Sequence, residues 1–323
     1  MCYTKKQKPE IPEGGVVMKR VFSVLFILML SHGVAEARHE IVVVQSAHVK
    51  PYEEAIKGFE RSCDANLQRI IISESQGKDV VREIKLKRPD MVLAVGGDAL
   101  SEVKRIKDIP IVYIMVLNPQ SALSGEENIT GVSYNIPPNK QLQALLLTLP
   151  RAKNVGLLYD PKNTGYLVKE AQQAADEMGI VLTAREIHHP REVATSAMEM
   201  KRDIDVFWML PDLTVMTPET VEFLALFSLK YRIPLLAPSE IWLDQGAFLS
   251  TGIDAFDMGA QAGDMASKIL SGGQVKNVQQ ALARKYVVST NLMIAGKLGI
   301  SVNLAMSSND YNDKIVRNTL TLQ

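Results

Sequence analysis

Cysteine, aromatic residues and excess charge are all scarce in this chain. The 323 residues include two cysteines, Cys2 and Cys63, too few for a disulfide framework. Lysine and arginine total 36, as do aspartate and glutamate, so the formal net charge is zero. Without a basic excess or a polybasic tract, neither a nucleic acid nor a lipid surface is an expected partner. No apolar run reaches the roughly 20 residues that a membrane-spanning helix needs. The chain has no H-E-x-x-H, no cysteine cluster, no G-x-S-x-G and no glycine-rich phosphate loop. Nor does any acid–base pair stand at a usable spacing. An enzyme is therefore not expected, nor a cofactor or a metal. His188 and His189 are adjacent on a predicted strand, where neighbours point to opposite faces, so they make a poor chelate.

Near the start is a short apolar run, Val21–Leu30. Lys19 and Arg20 precede it, and Ala35–Glu36–Ala37 follows it. A basic start, a short apolar core and an A-x-A exit describe a secretory signal peptide, with cleavage expected after Ala37. The competing reading is an N-terminal anchor. No cysteine sits at a lipoprotein position, so a soluble periplasmic product is expected. Residues 1–17 lack apolar periodicity, which makes Met18 a second possible translation start. Of the two cysteines only Cys63 remains after cleavage, and it reads as a packed helix residue more readily than as a nucleophile.

Past residue 38, short apolar runs alternate with amphipathic segments. Predicted strands are Glu40–Val44, Ile70–Ser73, Met91–Val95 and Ile111–Val116, with helices at Tyr52–Ser62, Asp79–Leu86 and Ala99–Ile106 between them. Strands of this kind joined by helices predict a parallel sheet covered on both faces. The pattern restarts after Asn135 and the Pro137–Pro138 pair. Strands at Asn154–Tyr159, Val181–Ile187, Val206–Leu210, Leu235–Ala237 and Ala247–Thr251 alternate with helices at Leu167–Met178, Glu192–Met200 and Pro218–Tyr231. The fold class is α/β: two doubly wound parallel-sheet lobes joined by a hinge. Lobe 1 is assigned residues 38–134 plus about 254–275, and lobe 2 residues 135–253 plus about 284–303. Residues 304–323 read as a loose tail. Ligands of such sheets sit beyond the carboxyl ends of the strands, and a cleft between two lobes is a preferred place for a small molecule.

Seven stretches, in order, carry a resemblance: HVKPYEEAIKGF, KDIPIVYIMVLNP, NITGVSY, LPRAKNVGLLYDPKNTG, IPLLAPSE, GAFLSTGIDAFDMGAQAGDMASKILSGG and NLMIAGKLGI. Together they resemble the substrate-binding proteins of ABC transporters, in the type I periplasmic-binding-protein branch and the group that includes aromatic amino-acid binders. The resemblance implies capture of a small solute, an amino acid in particular, by hinge closure. It implies as partners a membrane permease and its ATPase, and a monomer is the default state. A sensory protein of the same fold and an exported enzyme are the alternatives. Two departures fall where ligand is expected. Gly96–Gly97 stands where the family has Gly-Thr, and Asn118 where it often has Asp.

The crevice-edge positions supply the candidate ligand-binding residues. From the first lobe they are Ser46, His48, Gly96, Gly97, Asp98 and Asn118. From the second they are Tyr159, Asp160, Asn163, Asp212, Ser239 and Glu240, and Asp254 lies at a crossing back. Gly96–Gly97–Asp98 turns a strand into a helix, where backbone N–H groups favour a carboxylate. The plainer reading is a tight turn with Asp98 as N-cap. Asp254 could pair with a ligand ammonium, cap the helix near Phe256, or do both. Trp242 and Phe256 lie near predicted strand ends and Tyr52 near a helix start, where an aromatic either stacks on a flat ligand or, more commonly, packs in the core or between the lobes, and Trp208 reads as core.

Overall fold

The computed structural model describes residues 38–75, 79–302, 310–312 and 315–320, together with Met1 and Tyr3. The predicted leader and its cut after Ala37 lie outside the described residues. Contacts divide the chain into Met1–Arg38 and His39–Gln323, and the second unit carries every element below. No helix among the described residues is long and apolar enough to cross a membrane.

The first sheet contains β1 (His39–Gln45), β2 (Ala65–Ile71), β3 (Met91–Val95), β4 (Ile111–Val116), β5 (Ile129–Ser133) and β11 (Ala281–Leu282). Its order is β11-β5-β4-β3-β1-β2, and every pairing is parallel. The central strands β3 and β4 are buried throughout. Continuous apolar runs of that kind are what a parallel sheet with helices on both faces requires. One core lies on each face. Ile41, Val43 and Leu93 meet Phe59 and Met258 on one side, while Val42, Val44 and Val92 meet Ile84 and Leu100 on the other.

The second sheet contains β6 (Asn154–Tyr159), β7 (Val181–Glu186), β8 (Val206–Trp208), β9 (Leu235–Ala237), β10 (Leu249–Ile253), β12 (Tyr286–Asn291), β13 (Asp310–Asn312) and β14 (Ile315–Leu320). The order is β13-β14-β12-β10-β9-β8-β6-β7. β6 to β10 pair in parallel, while β12, β13 and β14 run antiparallel to their neighbours. This sheet also has a core on each face, one around Trp208 and Leu157 and one around Phe207 and Phe227. Trp208 is fully buried, and its Nε1–H donates to Gln141 Oε1 at 3.0 Å.

The chain passes between the sheets three times: after β5, after β10 and after β11. The helix Ala255–Leu270, which follows β10, returns to the first sheet and lies against the helix Lys50–Ser62. These two helices touch backbone to backbone. A Cβ added to Gly259 would fall 1.7 Å from the Ala55 carbonyl oxygen, and one added to Gly58 would fall 1.9 Å from that of Phe256. Glycine at both positions is what allows the approach.

The structure departs from the sequence reading at several elements. β2 begins at Ala65, and the sequence did not show it because the segment before its last two residues, ANLQR, is exposed or half-buried and presents no apolar run. The helix after β3 is Gly97–Val103, and its N-cap is Gly96 at φ 96°, so Asp98 lies inside the first turn and is not the cap. Cys63 follows the Lys50–Ser62 helix as its C-cap and is buried. The region expected to be a loose tail contains β13 and β14, and β14 pairs with β12 over Tyr286–Asn291. The segment IVRNTL carries the β-branched residues that suit a strand, but it is too short and polar to stand out without its partner.

Candidate functional site

The carboxyl ends of the parallel strands gather most of the predicted residues at two edges. On the first sheet, the Ser46 hydroxyl accepts from the Ala99 N–H at 3.0 Å, tying the end of β1 to the helix after β3. Gly96 sits under Tyr52, since an added Cβ would lie 2.6 Å from both the Tyr52 hydroxyl and Ser46 Oγ. The Gly97 and Asp98 N–H groups belong to the first helical turn and have no intrahelical acceptor. Both residues are exposed, and an added Gly97 Cβ would meet nothing within 4 Å. Burial, and next the nearby Asp98 charge, raise the Tyr52 hydroxyl above the ordinary tyrosine pKa. His48 is exposed and lies 4.0 Å from Glu53 Oε1. Glu53 accepts from Gln45 Nε2 and pairs with Arg69, and the Gln45 hydrogen bond is the largest cause holding its carboxyl below the usual range.

Asn118 follows β4 through a distorted turn. Met115 has φ 59° at a register shift in β4, and Asn118 has φ 46°. Left-handed backbone at two nearby non-glycine residues is uncommon and costs energy unless its surroundings fix it. Asn135 does the fixing at Asn118. Its Oδ1 accepts from the Asn118 N–H at 2.9 Å, and its Nδ2 donates to Asn118 Oδ1 at 3.0 Å. Asn118 Nδ2 in turn donates to the Tyr166 hydroxyl. Tyr166 stands on the helix Pro161–Met178 that follows β6, so this bond joins the carboxyl edge of one sheet to that of the other. The two edges face one another and form a cleft.

On the second sheet Asp160, Asn163 and Asp212 come together with two residues the sequence reading missed, Thr164 and Thr214. Asp212 is 1% exposed and accepts from the N–H groups of Asp160, Thr214 and Val215, from Asn163 Nδ2 and from the Thr164 hydroxyl. Asp160 caps the Pro161–Met178 helix by accepting from the Lys162 N–H, the largest cause that lowers its pKa, and it also accepts from the Thr214 hydroxyl. These carboxylates are buried and hold the loop after β8 to the helix after β6. The structure thus makes Asp160 and Asp212 supports of the cleft wall. Tyr159 is half-buried against the second-sheet core, and Ser239 and Glu240 follow β9 at the same edge. Asp254, after β10, caps the helix Ala255–Leu270 through the Asp257 N–H at 2.9 Å.

Large apolar side chains are exposed where this edge faces solvent. Leu117 after β4 is 61% exposed, Leu213 after β8 83% and Ile241 after β9 66%, with Phe256 beside the crossing after β10. Tyr166 and Leu213 carried no local sequence signal, and Asn135 was legible only as a break between the lobes. The bonds of Tyr166 and Asn135 to Asn118 come from partners distant in the chain. A separate cavity of about 690 Å³ opens at the amino-terminal end of the second sheet, between Arg151, Asp205, Arg232 and Ile300, and includes none of the predicted residues.

Comparison with known proteins accords with this geometry. At 24% identity over 200 residues, the chain is similar to a tyrosine-binding protein of Clostridioides difficile. The match covers 59% of this chain and 57% of that relative's length. Among solved structures it is similar to a ligand-free, open substrate-binding protein with adhesive properties from Clostridium difficile. The TM-score is 0.71 at 21% identity, over 82% of this chain and 96% of the other. A protein from Streptococcus pneumonia in complex with L-Trp gives a TM-score of 0.56 at 21% identity, over 83% and 97% of the two chains. At such identities these structures show the fold alone. The model for ABC transporter substrate binding proteins matches residues 67–312, from within β2 to the end of β13, which takes in all three crossings. The chain belongs to the ABC transporter substrate-binding protein family.

Proposed function

We propose that this protein captures an amino acid with an apolar or aromatic side chain in the cleft between its two sheets and presents it to a membrane permease driven by an ATPase. The observation that carries this reading is the pair of facing carboxyl edges, which expose Leu117 from one sheet and Leu213 and Ile241 from the other. Closure over an apolar ligand removes that surface from water, at roughly 25 cal/mol per Å². The first-turn N–H groups of Gly97 and Asp98 suit the ligand carboxylate, and Asp254 offers its charge to the ammonium while capping its helix. Tyrosine and L-Trp, bound by the two relatives named above, fit this class. The protein works outside the cytoplasmic membrane as a monomer, in a periplasm, after cleavage behind Ala37. It binds without transforming its ligand.

Thermal unfolding of the purified protein with amino acids, sugars and organic acids tests the reading. A ligand at a hundredfold excess over Kd adds about 2.7 kcal/mol to folding stability. Aromatic and large aliphatic amino acids are expected to raise the midpoint and to be recovered unchanged by mass spectrometry. A rise with sugars alone, or chemical conversion of the bound compound, would overturn it.

A further inference from the structure

We propose that Asn135, Asn118 and Tyr166 form an interlobe latch that sets the open–closed balance of the protein before any ligand arrives. The inference rests on the cleft reading above and adds to it a device that positions the two walls. Three observations carry it. Asn135 lies in the first crossing between the sheets, so one end of the chain of hydrogen bonds is in the hinge. Asn118 is held in a left-handed conformation by two reciprocal bonds to Asn135, at 2.9 and 3.0 Å, and its amide is thereby aimed before it meets any partner. Asn118 Nδ2 reaches the hydroxyl of Tyr166, which stands on the opposite lobe and is 46% exposed as a residue.

An exposed tyrosine hydroxyl gains little by meeting an amide in place of water. A residue already held by one bond at its backbone N–H and one at its side-chain amide loses little entropy in making a third. The latch therefore favours, modestly, the lobe arrangement in which it forms, which suits a receptor that must also leave that arrangement. Because ligand affinity scales with the fraction of molecules able to bind, the latch tunes capture through that fraction.

Spin labels on Ser101→Cys and Glu222→Cys, both exposed and one on each lobe, report the interlobe distance with no ligand present. Cys63 is buried and Cys2 is changed to serine, so the label is confined to the two sites. Tyr166→Phe keeps the ring and removes the hydroxyl. It is expected to lower the ratio of molecules at the interlobe distance of this structure to those at any other by about 2- to 10-fold, the range for one typical hydrogen bond. Asn118→Ala should do the same, and the double variant no more than either alone. Asn118→Asp should retain the distance of this structure, because the carboxylate accepts from the Tyr166 hydroxyl and aspartate tolerates the left-handed backbone. An unchanged distance distribution in Tyr166→Phe, or additive effects in the double variant, would overturn the latch. Since this readout uses no ligand, failure here is separate from failure of the amino-acid reading.

Discussion

Asp254 is a helix cap in the structure, and the proposed function gives the same side chain a ligand ammonium to meet. Its Oδ1 accepts from the Asp257 N–H, and asparagine caps a helix about as well as aspartate. Asp254→Asn should therefore leave stability within about 0.5 kcal/mol in urea unfolding while removing the charge offered to a ligand ammonium. Amino-acid affinity is expected to fall at least about tenfold, the loss of one charge-assisted hydrogen bond. Asp254→Ala should add a capping cost of about 1 kcal/mol to the same loss of affinity. If Asp254→Asn binds as tightly as the native protein, the carboxylate is a cap and nothing more. Asp212 is the opposite case: fully buried and accepting five hydrogen bonds, it has no capacity left for a ligand.

At the scale of elements, the hinge carries its own charge cluster. Asp257, in the first turn of Ala255–Leu270, is nearly buried and lies 2.8 Å from Arg284 Nε and 2.9 Å from Lys285 Nζ in the third crossing. Burial alone would raise its carboxyl pKa, and the bonds and charges of Arg284 and Lys285 overcome it and leave it lowered. Asp264 also faces Arg284, at 3.4 Å. A lowered folded-state pKa means that the cluster adds stability above the ordinary aspartate value near 4 and loses it as pH falls through the folded value. Asp257→Asn is expected to cost about 1–3 kcal/mol near neutral pH, and the gap should close below about pH 4. Urea unfolding from pH 3 to 7 measures it, and a gap independent of pH would assign the loss to packing. None of this cluster was apparent in the sequence, because its members lie 27 residues apart. Elements showed through where burial is continuous, as in MVLAV and IVYIMV. They were lost where one face is wet, as in ANLQRII, or where only a distant partner stabilises the strand, as in β11 and β14. The site followed the same rule. Positions just beyond a strand were found by counting along the chain, whereas Tyr166 and Asn135 needed the fold to bring them to Asn118.

At the scale of the molecule, each sheet has its own two-faced core, and the chain joins the sheets through three short crossings. Lobes joined in this way can open independently unless something bridges them. The protein contains native probes for each lobe. Both of its tryptophans, Trp208 and Trp242, belong to the second lobe, so fluorescence reports that lobe alone. Cys63 is buried in the first lobe, and burial is the main cause raising its thiol above the usual pKa, so it reacts only when that lobe opens. In urea without ligand, the fluorescence midpoint and the midpoint of Cys63 labelling are expected to differ. A ligand that touches both edges stabilises only the molecule in which both lobes are folded, so at saturation the two midpoints should rise and coincide. Coincident midpoints without ligand would mean that the crossings already make the lobes one cooperative unit. Midpoints that stay apart at saturation would mean that the ligand is held by a single lobe, and closure would then contribute nothing to capture.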